Sequence, residues 1–217
     1  MQIQPKVNQE LPIWVLNLER SKDRRYFMEE QLRKLNLKFE ITRAVDGRNI
    51  TENDLKHYSR KDAMKCAGRE LSPGEIGCAL SHAKMWERII AENLNEVLIL
   101  EDDVVIEEML IHILDFRHKF PPDWEFMNFM TSAKQIPLDV SIYNIYRACR
   151  FEGYANRACA YLINRSGAKK LLSHVYPIRW AADGLTGRTY ITGLISYGVD
   201  PKVAAVSNFE SDIWKDV

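Results

Sequence analysis

The chain predicts an α/β fold of Rossmann type, with a mainly parallel central sheet flanked by helices, and three observations carry that prediction. Short apolar runs of strand length alternate with stretches whose apolar residues recur at helical spacing, the pattern of successive β-α-β units. Ser72-Pro73-Gly74-Glu75 combines a capping box with proline at the first helical position, so a helix begins there. Residues 98–105 read Leu-Ile-Leu-Glu-Asp-Asp-Val-Val, a buried strand that halts on three carboxylates before it resumes.

Residues 12–18 form the first expected strand, and 19–36 carry Phe27, Met28, Leu32 and Leu35 at helical spacing. Residues 39–45 make a second strand that ends in the turn pair Asp46-Gly47. Residues 48–70 are polar and lack a period, which predicts one short helix and an exposed, lid-like connection. The capped helix from Ser72 continues through Ile76, Ala79, Leu80, Ala83, Trp86 and Ile90, and the strand at 96–100 delivers the acidic trio. Further strands are expected at 126–130, 158–163 and 194–199, with a helix at 167–174 started by Ser166.

With 217 residues, 46% of them hydrophobic and 28% charged, the chain can bury a substantial core as one domain. Lys plus Arg and Asp plus Glu each number 30, so no net field draws it to nucleic acid or to an anionic membrane. The sequence has neither a signal-peptide core nor the ~20-residue apolar run of a spanning helix, which predicts a cytoplasmic protein. Cys66, Cys78, Cys149 and Cys159 lack CxxC spacing and read as free thiols.

Glu101 and Asp103 are two apart, so on an extended backbone they leave one face of the strand while Asp102 leaves the other. Such a pair suits a divalent cation whose remaining ligands are diphosphate oxygens, because Mg²⁺ and Mn²⁺ prefer hard oxygens and few protein carboxylates. In open α/β sheets ligands bind beyond the carboxyl ends of the strands. Asn17, Arg20 and Arg24 follow the first strand, Asp46 the second and the acidic trio the third, together a set suited to a nucleoside diphosphate. The competing readings are an acidic turn left to solvent, a solvated helix flank for the two arginines, and a structural histidine at His82, which stands with Ser81 at the margin of the apolar stripe.

Four ordered stretches give these residues a resemblance: Val15-Leu16-Asn17-Leu18-Glu19-Arg20 with Arg24; Ala44-Val45-Asp46-Gly47; Gly74-Glu75-Ile76-Gly77-Cys78-Ala79-Leu80-Ser81-His82; and Leu100-Glu101-Asp102-Asp103-Val104. The chain resembles glycosyltransferase family 25, which comprises bacterial lipooligosaccharide galactosyltransferases and collagen galactosyltransferase domains. Weaker matches follow at residues 160–165, Gly167, Ala168, Leu171 and Asp183.

The resemblance implies a GT-A-like fold in one domain over residues 1–217, with a nucleotide-sugar and metal half at about 11–110 and an acceptor half at about 120–217. It implies a UDP-sugar donor, UDP-galactose, bound by Asn17, Leu18, Arg20, Arg24, Asp46, Ser81, His82, Glu101 and Asp102. Mn²⁺ or Mg²⁺ would be held by Asp103 first and by Glu101, with Asp183 as the general base of an inverting transfer. The last histidine is His174, so Ser207, Asn208, Ser211, Asp212 or water would complete the metal shell. The implied acceptor is a glycolipid oligosaccharide of the lipooligosaccharide or lipopolysaccharide core, with Trp124, Tyr154, Tyr161 and Trp180 as candidates to stack on its sugars. Peripheral contact with the inner face of the inner membrane goes with such an acceptor. The alternatives are a nucleotide-sugar hydrolase or phosphatase using the same acidic site, and a non-catalytic nucleotide-binding relative.

Overall fold

The computed structural model describes residues 11–210. At its centre strand β1 (Ile13–Asn17) lies parallel to β2 (Glu40–Arg43) on one side and to β3 (Glu96–Glu101) on the other. β1 and β3 are apolar at nearly every position because both faces are covered. Ile13, Val15, Leu98 and Leu100 pack into one core layer, and Trp14, Leu16, Val97 and Ile99 into the other. Helix α1 (Lys22–Lys34) contributes Met28 and Leu32 to the first layer.

Two short helices, α2 (Glu52–Leu55) and α3 (Arg60–Ala67), fill the segment expected to hold one helix and a loose connection. The segment is also tied down at its middle: Ile178 N–H donates to the His57 carbonyl (2.6 Å), and Ser59 N–H donates to the Ile178 carbonyl (3.0 Å). Helix α4 (Pro73–Ala91) begins where the capping box requires, with Glu75 N–H on Ser72 Oγ (3.2 Å) and Ser72 N–H on Glu75 Oε2 (2.9 Å).

After β3 the chain turns at Asp102 and Asp103 into β4 (Val104–Ile106), so the trio is not one extended strand as the pattern suggested. Helix α5 (Met109–Asp115) and strand β5 (Phe126–Asn128) follow, and then a hairpin of β6 (Lys134–Tyr143) and β7 (Tyr146–Glu152) that the sequence reading missed. Register shifts between Pro137 and Tyr143 break its alternation, and β6 tolerates a proline because it is the outer strand of the sheet. β8 (Ala160–Asn164) leads into helix α6 (Arg165–Val175). Asn164, not Ser166, caps that helix by accepting from Gly167 N–H (3.0 Å), while Ser166 donates to Glu125 Oε1 (2.7 Å). Two short helices, α7 (Ala182–Gly187) and α8 (Thr189–Thr192), then precede β9 (Ser196–Asp200) and β10 (Ala204–Val206).

The main sheet has eight strands in the order β2-β1-β3-β8-β5-β9-β7-β6. Its strands run one way except β8 and β7, which are antiparallel to their neighbours. β4 and β10 form a small antiparallel sheet beside the acidic turn. Among the described residues no helix is long and apolar enough to cross a membrane, and the four cysteines are free thiols.

Ser72→Ala removes the acceptor for an orphan N–H at the start of α4. It is expected to lower stability by about 1 kcal/mol, read as a shift of the denaturation midpoint.

Candidate functional site

The carboxyl ends of β2, β1 and β3 lie side by side, which brings the three polar clusters of the sequence to one edge of the sheet. Beyond β1, Asn17 Nδ2 donates to Asp102 Oδ2 (2.6 Å) and to the Ser21 carbonyl (3.0 Å). Arg24, in the first turn of α1, pairs through Nη2 with Asp102 and with Asp103 Oδ2, the latter at 2.8 Å. Desolvation pushes the Asp102 carboxyl up to about 6; Arg24 and Asn17 oppose that shift, while Asp103 and Glu101 add to it. Beyond β2, Asp46 accepts from Arg20 Nε (2.9 Å) and from the Arg48 backbone (3.0 Å), which hold its carboxyl below the usual range against desolvation.

Helix α4 reaches this edge through a close backbone approach. A Cβ on Gly77 would stand 2.6 Å from the Val45 carbonyl oxygen, and one on Gly47 would stand 2.5 Å from the Pro73 carbonyl, so only glycine fits at either place. The approach lets Ser81 Oγ accept from Val45 N–H (2.8 Å) while donating to the Gly77 carbonyl (2.7 Å). One turn along, Cys78 Sγ and His82 Nε2 lie 3.9 Å and 3.1 Å from Glu101 Oε1. Ser81 and His82 are buried rather than at the stripe's margin, because α4 is covered on this side by the sheet edge and by the 44–47 loop.

Two cavities flank the acidic trio. The first, about 670 Å³, is lined by Leu18, Arg20, Arg24, Asp46, Ser81, His82 and all three acids, with Arg48 and Cys78 added. Asn17 is buried beneath it, behind Asp102. The second, about 980 Å³, is bounded by Glu101, Asp103, Cys78, Arg157, Asp183 and Phe209. Glu101 and Asp103 thus face both spaces and Asp102 only the first. Asp183, in the first turn of α7, accepts from Arg157 N–H at 3.2 Å. Ser207 N–H donates to the Asp103 carbonyl (2.8 Å), whereas Ser211 and Asp212 lie outside the described residues. Of the aromatic candidates, Tyr161 and Trp180 are buried in the core and out of a sugar's reach, while Tyr154 is 40% exposed.

Arg48 and Arg157 were not singled out from the sequence, and Cys78 and Gly47 entered it as a free thiol and a turn glycine within the family stretches, without a role at the site. Cys78 and His82 are four apart on one helix face, a spacing that signals their meeting at Glu101. Arg157 carries no such signal; its backbone is left-handed (φ 66°), set by the fold around it.

Residues 10–186 match the family described as Glycosyltransferase family 25 (LPS biosynthesis protein). The chain belongs to glycosyltransferase family 25. It is 34% identical over 169 residues to a Glycosyltransferase 25 family member of Aedes aegypti, and 30% identical over 171 residues to Procollagen galactosyltransferase 2 of Mus musculus. It is also 28% identical over 170 residues to a protein of Rattus norvegicus named Probable inactive glycosyltransferase 25 family member 3. Each alignment takes in 74% of this chain, which spans 27% to 29% of the length of these curated relatives. The fold is GT-A-like. It superposes with a TM-score of 0.51 on a glycosyltransferase involved in the glycosylation of the major capsid of PBCV-1, at 10% identity, covering 94% of this chain and 95% of the other.

Gly77→Ala forces α4 away from the 44–47 loop. It is expected to weaken nucleotide binding at least as much as it lowers the melting temperature, because the displaced helix carries Cys78, Ser81 and His82.

Proposed function

We propose that the protein transfers galactose from UDP-galactose to a sugar of a lipooligosaccharide or lipopolysaccharide core, inverting the anomeric centre. The observation that carries this reading is the acidic wall shared by two cavities, one lined also by Arg20, Arg24 and Arg48, the other holding Asp183. The family description names lipopolysaccharide biosynthesis, and several relatives are named galactosyltransferases.

In the first cavity Arg20 and Arg24 supply charge for the diphosphate and Asp46 faces the nucleoside, with Ser81 and His82 forming the far wall. The donor set for a hard cation is oxygen-based and fits: Asp103 and Glu101 present carboxylates to both cavities. A divalent cation held there supplies Lewis-acid neutralisation of the leaving diphosphate. Cys78 is a poor member of that set, because burial, with the Glu101 charge adding, pushes its thiol well above its usual range and keeps it protonated.

Asp183 takes the proton of the acceptor hydroxyl, whose oxygen attacks the sugar's anomeric carbon as the bond to the diphosphate breaks and UDP departs. Arg157 N–H fixes one oxygen of Asp183 for that task. A second reading, a non-catalytic nucleotide-binding relative, is favoured by the relatives named inactive.

Calorimetry with UDP, UDP-galactose, UDP-glucose and UDP-N-acetylglucosamine, with and without Mn²⁺, tests the donor site. Metal-dependent binding that prefers UDP-galactose is expected, and absence of binding under all conditions refutes the reading. Asp103→Asn is expected to abolish the metal dependence. Asp183→Asn is expected to lower kcat by about 10²- to 10⁴-fold while leaving donor affinity unchanged, the loss typical of a general base. A chain that binds donor but gives no transfer with either residue intact is the non-catalytic relative.

A further inference from the structure

Behind Glu101 runs a buried polar chain that the proposed transfer does not use directly. Trp86 Nε1–H lies 3.1 Å from the Tyr161 hydroxyl, that hydroxyl lies 2.8 Å from His82 Nδ1, and His82 Nε2 lies 3.1 Å from Glu101 Oε1. Trp86, Tyr161 and His82 are each at most 1% exposed, so water cannot complete their hydrogen bonding.

The donor and acceptor inventory leaves one consistent assignment of protons. Indole N–H only donates, so the Tyr161 oxygen accepts from Trp86. The Tyr161 proton then needs an acceptor, and His82 Nδ1 is the one other polar partner it has among the described residues. Burial pushes the Tyr161 hydroxyl well up, so it keeps that proton to donate. His82 Nδ1 therefore carries a lone pair, Nε2 carries the hydrogen, and Glu101 Oε1 receives it. With Nδ1 protonated instead, the Tyr161 hydrogen would be stranded in the core and the Nε2 lone pair would face a carboxylate.

We propose that Trp86 and Tyr161 are positioning residues, acting through His82 to hold Glu101 by a single oxygen, Oε1, and so to leave Oε2 for the cation or the substrate. Both protein donors to this carboxylate, His82 Nε2 and Cys78 Sγ, fall on Oε1 among the described residues, and none falls on Oε2. The same assignment removes the Cys78, His82 and Glu101 trio as a soft-metal site, although its ligand atoms lie within 4.8 Å of one another. A histidine ligand binds metal through a bare nitrogen and donates from the other, whereas here the nitrogen facing the trio carries the hydrogen. The consequence for Glu101 rests on the transferase reading; the tautomer does not.

The test is nitrogen NMR of protein labelled with ¹⁵N-histidine, free of metal and nucleotide. His82 is assigned by elimination, replacing His57, His112, His118 and His174 in turn with Gln. The expected result is one Nε2–H tautomer for His82. An Nδ1–H tautomer in the unaltered protein overturns the proposal and returns the trio to the list of soft-metal sites, which Co²⁺ absorption would then register as a thiolate band. Tyr161→Phe is further expected to weaken Mn²⁺ affinity by about 10- to 100-fold, the usual effect of losing support behind a ligand. His82→Gln, which keeps an amide N–H near the Nε2 position, is expected to lose less than His82→Leu. A folded Tyr161→Phe protein with unchanged Mn²⁺ affinity also overturns it. If the unaltered protein shows the Nε2–H tautomer yet binds neither Mn²⁺ nor UDP-sugar, the relay stands and the transferase reading falls.

Discussion

The guanidinium of Arg24, shared between Asp102 and Asp103, is the interaction that allows three carboxylates to stand in a row at the end of a buried strand. Two like charges 4 Å apart repel by about 4 kcal/mol at the effective dielectric of a protein surface, and the turn after β3 crowds three of them. Arg24 can meet two of these acids because it sits in the first turn of a helix that starts five residues after the end of β1, the strand beside β3. The first strand and helix among the described residues therefore set the geometry of a turn some eighty residues later. Asn17 completes the arrangement from below, and Asp102 is left buried and committed to these partners.

The three acids divide their surroundings accordingly. Asp102 is held by α1 and the end of β1, Glu101 by α4, and Asp103 by Arg24 and the backbone of Ser207. Elements on both faces of the sheet thus converge on one turn, α4 fixing Glu101 and α1 fixing Asp102 and Asp103. Alternation along β3 sends Glu101 to the side of Val97 and Ile99, the layer containing α4, and the turn that follows brings Asp102 and Asp103 to Arg24 of α1.

Much of the fold was legible because local signals agreed with one another. The capping box at Ser72, the apolar runs of β1 and β3, and the acidic stop after β3 are each short-range patterns that tertiary structure did not override. The reading that Asn17, Arg20, Arg24, Asp46 and the trio meet at one sheet edge followed from those elements and the rule for parallel strands. What was not legible depends on partners distant in sequence. The β6–β7 hairpin hides behind a proline and broken alternation, Ser166 lost its capping role to Asn164, and the burial of His82 depends on Tyr161, 79 residues further along. The anchoring of residues 57–59 to Ile178 is likewise a backbone pairing that no side-chain pattern encodes.

The small sheet of β4 and β10, with Ser207 N–H on the Asp103 carbonyl, has a consequence for how the protein is made. A chain emerging from the ribosome can close the β1, β2 and β3 ladder and seat Arg24 on its acids long before residue 204 appears. The backbone bond from Ser207 to the acidic turn waits until residue 207 has been made. Assembly of this edge is thus a late event governed by a contact of high sequence separation, and until it occurs the half-built turn exposes an unpaired edge strand at β4.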